Sequence, residues 1–349
     1  MRVLVAMSGG VDSSVAAARL LAAGHDVVGV TMKLWGGESD TGCCSVSDVD
    51  DARRVAQQLG IDHHVWNFGD DFEARVVEPY VESHRRGDTP NPCIECNRHL
   101  KFDRLLRRAL AVGFDAVATG HHARIVERPD GTRRLARGAD EAKDQSYVLY
   151  VLGQAELARI VLPVGEITKD DVRGEADALG LRTAAKPDSQ DVCFITSTTG
   201  REGFLGRRLD LHPGRVVDGQ GRHLASVAAV ELVTVGQRRG LGLPGGEVPR
   251  YAVDVDVASA IVRVGPEREL HRDTVALERM VWADGPVEGR VGAQCAAHGA
   301  ERPATVTAAA GRPEGAVVRF DRAERRVARG QSVVLYQGDE VVGGGIARG

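Results

Sequence analysis

An apolar, β-prone run, Val3-Leu4-Val5-Ala6-Met7, opens the chain, breaks at Gly9-Gly10, and gives way to helical spacing through Leu20 and Leu21 as far as Gly24. Strand patterns follow at 26–33 and 62–68, and helical patterns at 48–59 (closed by Gly60), 71–86 and 97–110. A further strand, 116–119, ends in Gly120-His121-His122. Strand alternating with helix predicts a doubly wound α/β layer, with ligands at the carboxyl ends of its strands. Residues from about 154 to 182 read as helical, rich in Asp, Glu and Leu. Beyond His212-Pro213-Gly214 the texture changes to short alternating runs punctuated by glycine, such as 251–255 and 332–336. These predict small β domains of barrel type. The expected division is an α/β unit at 1–200, a β-rich unit at 201–272 and a β-barrel at 273–349.

Composition adds bounds. A chain of 349 residues is too long for one ordinary core, and its 43% of hydrophobic residues is ample for several. No apolar run has the length of a membrane span, and the start lacks the basic region and cleavage site of a signal peptide, so a cytoplasmic protein is expected. Six cysteines over this length suggest reactive or metal-binding thiols rather than a disulfide framework. A net charge of −4 excludes a strongly basic, histone-like binder. Lysine occurs only at Lys33, Lys101, Lys143, Lys169 and Lys186. Arginines cluster at 85–86, 98–108, 207–208, 238–239 and 322–329. Arginine favours bidentate phosphate contact, so these clusters are candidate local nucleic-acid surfaces; solvated helix faces are the bland alternative.

The strand–turn–helix at Ser8-Gly9-Gly10-Val11-Asp12-Ser13-Ser14 points the N–H groups of a helix's first turn at one spot. The two glycines admit a ligand close to the backbone, and the serines add hydroxyl donors. This is a candidate phosphate cradle, but it lacks the Gly-Lys-Ser/Thr ending of the nucleotide P-loop. An ordinary capped helix, with Asp12 or Ser8 as N-cap, is the competing reading.

Two cysteine loops carry further chemistry. In Thr89-Pro90-Asn91-Pro92-Cys93-Ile94-Glu95-Cys96-Asn97 the prolines argue against helix, and Cys96 is expected at the entry of a helix beginning near Asn97. A helix N-terminus with Arg98 and Lys101 close by would lower that thiol's pKa. No second Cys-x-x-Cys occurs, which argues against a structural zinc site. Cys193, in Lys186-Pro187-Asp188-Ser189-Gln190-Asp191-Val192-Cys193-Phe194, would by itself read as a buried core thiol. Cys43, Cys44 and Cys295 are read as structural. Cys93 and Cys96 could also ligate one metal, with Cys193 closing a three-thiolate site for a [4Fe–4S] cluster, a minority reading.

The heptapeptide SGGVDSS resembles the PP-loop of ATP pyrophosphatases, which cleave ATP between the α- and β-phosphates. Together with TPNPCIECN, ATGHHAR, KDQSYVLY, KPDSQDVCFI and VGQRRGLGL, in that order, it resembles the bacterial tRNA 2-thiouridylase (MnmA/TrmU) family. The likeness runs from residue 1 to Gly330-Gln331-Ser332-Val333 and Gly343-Gly344-Gly345. It implies an adenine-nucleotide α-hydrolase fold followed by β domains, the last of which binds tRNA. It implies a sulfurtransferase that uses ATP with Mg2+ to adenylate O2 of the wobble uridine, position 34, in tRNAs for Lys, Glu and Gln. Sulfur would arrive through a persulfide on Cys193, loaded by a cysteine desulfurase or sulfur-relay protein, giving 2-thiouridine, AMP and pyrophosphate. Cys96 would attack that persulfide, freeing sulfide or forming a disulfide with Cys193. Ala6, Met7, Ser8, Gly9, Gly10, Val11, Asp12 and Ser13, with Met32 and Gly120, match the ATP contacts. Asn91 and Pro92, with Cys93 beside them, match the target-base contact, and His121, Lys143, Asp144, Gln145 and Gln331 match tRNA contacts. Many members carry Asp at the place of Cys93, so a carboxylate role does not carry over there. Two rivals remain at this point: a PP-loop synthetase acting on a small molecule, and a non-catalytic metal-binding RNA module.

Overall fold

The structure is a computed structural model that describes residues 1–34, 46–188, 192–195, 200–244, 248–309 and 314–349. Five parallel strands form the first sheet: β1 (Arg2–Ala6), β2 (Asp26–Lys33), β3 (His63–Asn67), β4 (Ala116–Ala118) and β7 (Ile160–Val161), in the order β3-β2-β1-β4-β7. The reversal of order between β1 and β4 opens a crevice at their carboxyl ends, where Gly120 packs against the backbone of Asp12 and Ser13. Val3 and Val5 of β1 pack into the core under α1 (Val11–Ala22), and Leu4 packs into the core on the other face. Those opposite faces are the period-2 alternation of a strand covered on both sides.

Two helical expectations change. The helix expected from 97 begins at Pro92 and runs through Pro92–Cys96, Asn97–Leu105 and Leu106–Ala111. Asn91 caps it, its Oδ1 accepting from Cys93 N at 3.0 Å. Pro92 is the first helical residue, where a missing N–H costs nothing because that group has no intrahelical partner. The helical reading of 154–182 divides into a single turn, Gln154–Leu157, the strand β7, and the helix Lys169–Ala178 with Thr168 as N-cap. Short β7 extends the parallel sheet, and no periodicity over two residues could reveal it.

The β region holds a four-stranded sheet, ordered β10 (Tyr251–Asp256), β11 (Ile261–Gly265), β8 (Gly214–Val217), β9 (His223–Val227). After it comes a closed six-stranded barrel of β12 (His271–Trp282), β15 (Ala316–Arg325), β14 (Arg302–Ala308), β13 (Gly289–Gln294), β16 (Ser332–Gln337) and β17 (Glu340–Ala347). Closure comes from β12, which pairs with β15 and β17; its register shifts between Glu278 and Val281, where Arg279 has φ +52°. The hairpin β5 (Ala123–Glu127) and β6 (Arg133–Arg137) leaves the α/β unit and adds to the barrel through β17. Tyr147 and Tyr150 of KDQSYVLY seat the barrel: Tyr147 Oη donates to Ser332 O at 2.8 Å, and Tyr150 Oη lies 3.2 Å from Ser332 Oγ. No helix among the described residues is long and apolar enough to cross a membrane.

Candidate functional site

The phosphate cradle is built as a bare helix start. Gly10 is the N-cap of α1 and no side chain caps it, which sets aside Asp12 and Ser8 as caps. Ser13 Oγ donates to Gly10 O at 3.1 Å and accepts from Ser8 N at 3.2 Å, shaping the turn without covering the helix end. Gly9 has φ +72°, and a Cβ there would lie 2.3 Å from Asp48 O. A Cβ on Gly120 would lie 2.6 Å from the backbone of Asp12 and Ser13. Only glycine lets these two segments touch the loop.

Asp12 does not stand alone in the loop. Both its oxygens accept from Lys169 Nζ at 2.7 Å, and His122 Nε2 lies 3.1 Å away. Burial pushes the Asp12 carboxyl up, but the bonds and charges of His122 and Lys169 outweigh it and hold it below the usual carboxylate range. Lys169 Nζ also lies 2.8 Å from Asp188, which Lys143 (2.7 Å) and Arg173 (3.0 Å) share. Burial acts upward on Asp188 too, yet the lysines bring it down to about 2. Lys186 Nζ reaches Gly9 O at 3.0 Å, Asp48 at 2.7 Å and Asp51 at 2.8 Å. The segment leading to Cys193 is therefore hydrogen-bonded to the phosphate loop through Lys186 and linked to Asp12 through the Lys169 ammonium that Asp188 shares. Sequence reasoning missed Lys169, Lys186, His122 and Asp188; the scarcity of lysine was the signal.

Cys96 is 8% exposed and belongs to the apolar cluster on one face of the sheet, and Cys193 packs against that cluster. Met32 belongs to the same cluster and Ala6, at the end of β1, packs against it, so the ends of β1 and β2 and both cysteine segments share one core. Phe194 anchors the Cys193 segment, with its ring edge-on to Phe72 at 5.6 Å and to Tyr80 at 5.5 Å. Because the helix starts at Pro92, it is Cys93, not Cys96, that stands at the helix N-terminus; Cys96 lies a turn further in. Cys93 is exposed. Burial pushes the Cys295 thiol up to about 12, in keeping with a structural role. Cys43 and Cys44 lie outside the described residues, as do Ser189, Gln190 and Asp191.

The residues matched to tRNA contacts are mostly engaged internally. His121 is buried, its Nδ1 2.7 Å from Thr119 Oγ1 and its Nε2 3.3 Å from Lys101 Nζ. Burial first, then Lys101 and His122, keep it neutral. Asp144 accepts from Gly138 N, Ser146 N and Arg137. Gln145 Oε1 accepts from His122 N at 2.9 Å. Gln331 Nε2 donates to Thr89 O, Thr89 N donates to Arg329 O at 2.8 Å, and Arg329 pairs with Asp88 at 2.8 Å. The barrel thus holds the residues just before Asn91. Asn91 and Pro92 line a cavity of about 550 Å³ with Glu95, His99, Arg329 and Ser332, between the α/β unit and the barrel.

Many arginines of the sequence clusters are ion-paired, among them Arg85 to Glu82, Arg104 to Asp71 and Arg325 to Glu267. Arg207, Arg238, Arg239 and Arg322 are exposed. Among the described residues no group of three or more His, Cys, Asp or Glu is disposed to hold a metal ion. Cys93 is exposed and Cys96 is buried in the apolar cluster, so the two thiols of this Cys-x-x-Cys stand in different environments.

Residues 1–197 match the family described as tRNA methyl transferase HUP domain, 202–266 its PRC-barrel domain, and 272–347 the aminomethyltransferase beta-barrel domain. A solved 4-thiouridine synthetase–RNA complex with bound ATP is 18% identical, with a TM-score of 0.37, over 55% of this chain and 44% of that one. The chain is 46% identical to the tRNA-specific 2-thiouridylase MnmA of Roseiflexus castenholzii over 99% of both chains. It is 49% identical to that of Beutenbergia cavernae over 98% of this chain and 93% of the relative. A bare phosphate loop at the end of a strand that shares one core with two cysteine segments, in a chain so similar from end to end, places this protein in the tRNA-specific 2-thiouridylase MnmA family, the ATP-using sulfurtransferases that modify tRNA.

Proposed function

We propose that this enzyme adenylates O2 of the wobble uridine, position 34, in tRNAs for Lys, Glu and Gln, and replaces that oxygen with sulfur from a persulfide on Cys193. The observation that carries it is the shared core: Ala6 and Met32 on the ATP side pack in one cluster with Cys96 and Cys193. A uracil carbonyl is a poor electrophile with a worse leaving group, and adenylation supplies the better one. Uridine O2 bonds the α-phosphorus, pyrophosphate departs with the electron pair of the broken bond, and the N3 proton goes to water. ATP enters as its Mg2+ complex, with Ala6 to Ser13, Met32 and Gly120 around it.

The terminal sulfur of the Cys193 persulfide then bonds C2, and AMP leaves with the former carbonyl oxygen. The Cys96 thiolate attacks the Cys193 sulfur, a Cys96–Cys193 disulfide forms, and the thiocarbonyl is released. Alternatively Cys96 attacks first and frees sulfide, which adds to C2; either way a dithiol reductant resets the pair. A cysteine desulfurase or sulfur-relay protein in the cytoplasm loads Cys193. Asn91, Pro92 and Cys93 flank the target base, with residues 1–200 as catalytic unit, 201–272 as central unit and 273–349 as the tRNA-binding barrel. His121, Lys143, Asp144, Gln145 and Gln331 act on tRNA largely by shaping the surface around it. Mass spectrometry of tRNA nucleosides from cells lacking this gene tests the reading: 2-thiouridine should vanish from position 34 of those three tRNAs. Its persistence there would overturn the assignment.

A further inference from the structure

The phosphate loop contains no lysine, and the fold brings one to it from far along the chain. Lys169 is the first residue of the helix Lys169–Ala178 and is 7% exposed, with its ammonium 2.7 Å from both oxygens of Asp12. The placement runs against local electrostatics, because a cation at a helix N-terminus meets the positive end of the dipole. Such violations of a local rule concentrate at functional sites. The surroundings fix the position: Thr168 caps the helix, and Lys169 N donates to Asp140 Oδ2 at 3.0 Å.

Residue choice sharpens the point. Of 45 basic Lys and Arg positions only five are lysine, and Lys143, Lys169 and Lys186 all lie in the ion pairs around this loop. A chain that otherwise uses arginine has kept the compact ammonium here, where a planar guanidinium fork would be fixed by the carboxylates around it.

We propose that Lys169 is a catalytic residue of the adenylation step, its ammonium moving from Asp12 onto the α–β bridging oxygen of ATP as pyrophosphate leaves. This rests on the adenylation reading above. Lys169 stays protonated and forms no covalent bond; the electron pair of the broken P–O bond goes to pyrophosphate, and the lysine offsets the charge that develops there. The two Asp12 contacts hold the ammonium one side chain away from the bare N–H groups of α1 before ATP binds.

The test is single-turnover release of pyrophosphate on mixing enzyme, Mg-ATP and tRNA. Lys169→Ala should slow it by roughly 10²–10³-fold, the loss typical of one preorganised transition-state partner. Filter-binding affinity for tRNA should stay unchanged. Lys169→Arg keeps a cation between Asp12 and Asp188, so it guards against misfolding: it should melt like wild type yet remain at least about 10-fold slow. A purely structural ion pair predicts instead full recovery in Lys169→Arg. Wild-type release by either variant, from an enzyme whose own turnover is intact, overturns the proposal. Absence of tRNA-dependent pyrophosphate from wild type itself overturns the adenylation reading, and the lysine's role with it.

Discussion

The Lys186 ammonium donates to the carbonyl oxygen of Gly9 at 3.0 Å, joining the Cys193 segment to the turn that cradles phosphate. The turn is intolerant of change, since any Cβ on Gly9 would meet Asp48 O at 2.3 Å and would have to adopt φ +72°. Gly9→Ala is therefore expected to weaken ATP binding at least about 10-fold, roughly 1.4 kcal/mol, as read by equilibrium titration. Asp12→Ala should abolish pyrophosphate release while tRNA affinity survives, because the proposed RNA surface lies in other elements. Retained 2-thiouridine formation in Asp12→Ala would contradict the loop assignment.

Stability should fall in mild acid through His84. This buried imidazole packs on Tyr80 at 4.6 Å, beneath the aromatic group that anchors Phe194. Burial first, then the charge of Arg201, lowers its pKa from 6.5 to about 4, against a raising hydrogen bond that the ring donates to the Glu231 backbone. Between those values only the unfolded chain takes up the proton. The contribution is thus complete above pH 6.5 and is lost toward pH 4, by about 3 kcal/mol at most. Urea unfolding at pH 7.5 and 4.5 should show this loss reduced in His84→Phe, and an equal loss in both proteins would refute it.

Cys96→Ser and Cys193→Ser should each eliminate 2-thiouridine, at different stages. Both should still release pyrophosphate in a tRNA-dependent way, since in the proposed sequence adenylation precedes sulfur transfer. Only Cys193→Ser should fail to carry a persulfide in an alkylation and mass-spectrometry assay. Thiolation by Cys193→Ser with a protein sulfur donor would remove that residue from the mechanism.

The α/β layer was legible because its strands and helices carry strong periodicities, and the phosphate loop because glycines and serines at a strand's end admit few readings. The start of the Cys96 helix was misread since Pro92 breaks a helix everywhere except at its first position. Strand β7 and the hairpin β5–β6 are defined by their partners, Val117 and Glu340 among them, and not by their own pattern. The ion pairs of Lys169 and Lys186 join residues far apart in sequence, which no local spacing encodes.

Affinity for tRNA should drop steeply with salt despite the net charge of −4. Exposed Arg238 and Arg239 can displace counterions from phosphates, whereas Arg325 is already paired with Glu267. The double variant Arg238→Ala, Arg239→Ala should weaken tRNA binding and flatten the slope of log K against log salt by about 2, with ATP binding intact. Affinity independent of salt would count against phosphate contact by these arginines.

Cys93 separates two-thiol chemistry from a chemistry that needs three. Its backbone N–H donates to Asn91 Oδ1 at 3.0 Å, so the residue helps begin the helix through its main chain whatever its side chain is. The exposed side chain stands outside the apolar cluster that holds Cys96 and receives Cys193. Cys93→Ser preserves the main-chain bond and the small polar size, and should keep at least about half of the wild-type thiolation rate, within about 0.4 kcal/mol of the barrier. The purified variant should show the same absence of visible absorbance as wild type. Inactivity equal to that of Cys96→Ser, beside a brown and active wild type after anaerobic reconstitution with iron and sulfide, would replace the persulfide with cluster-borne sulfur.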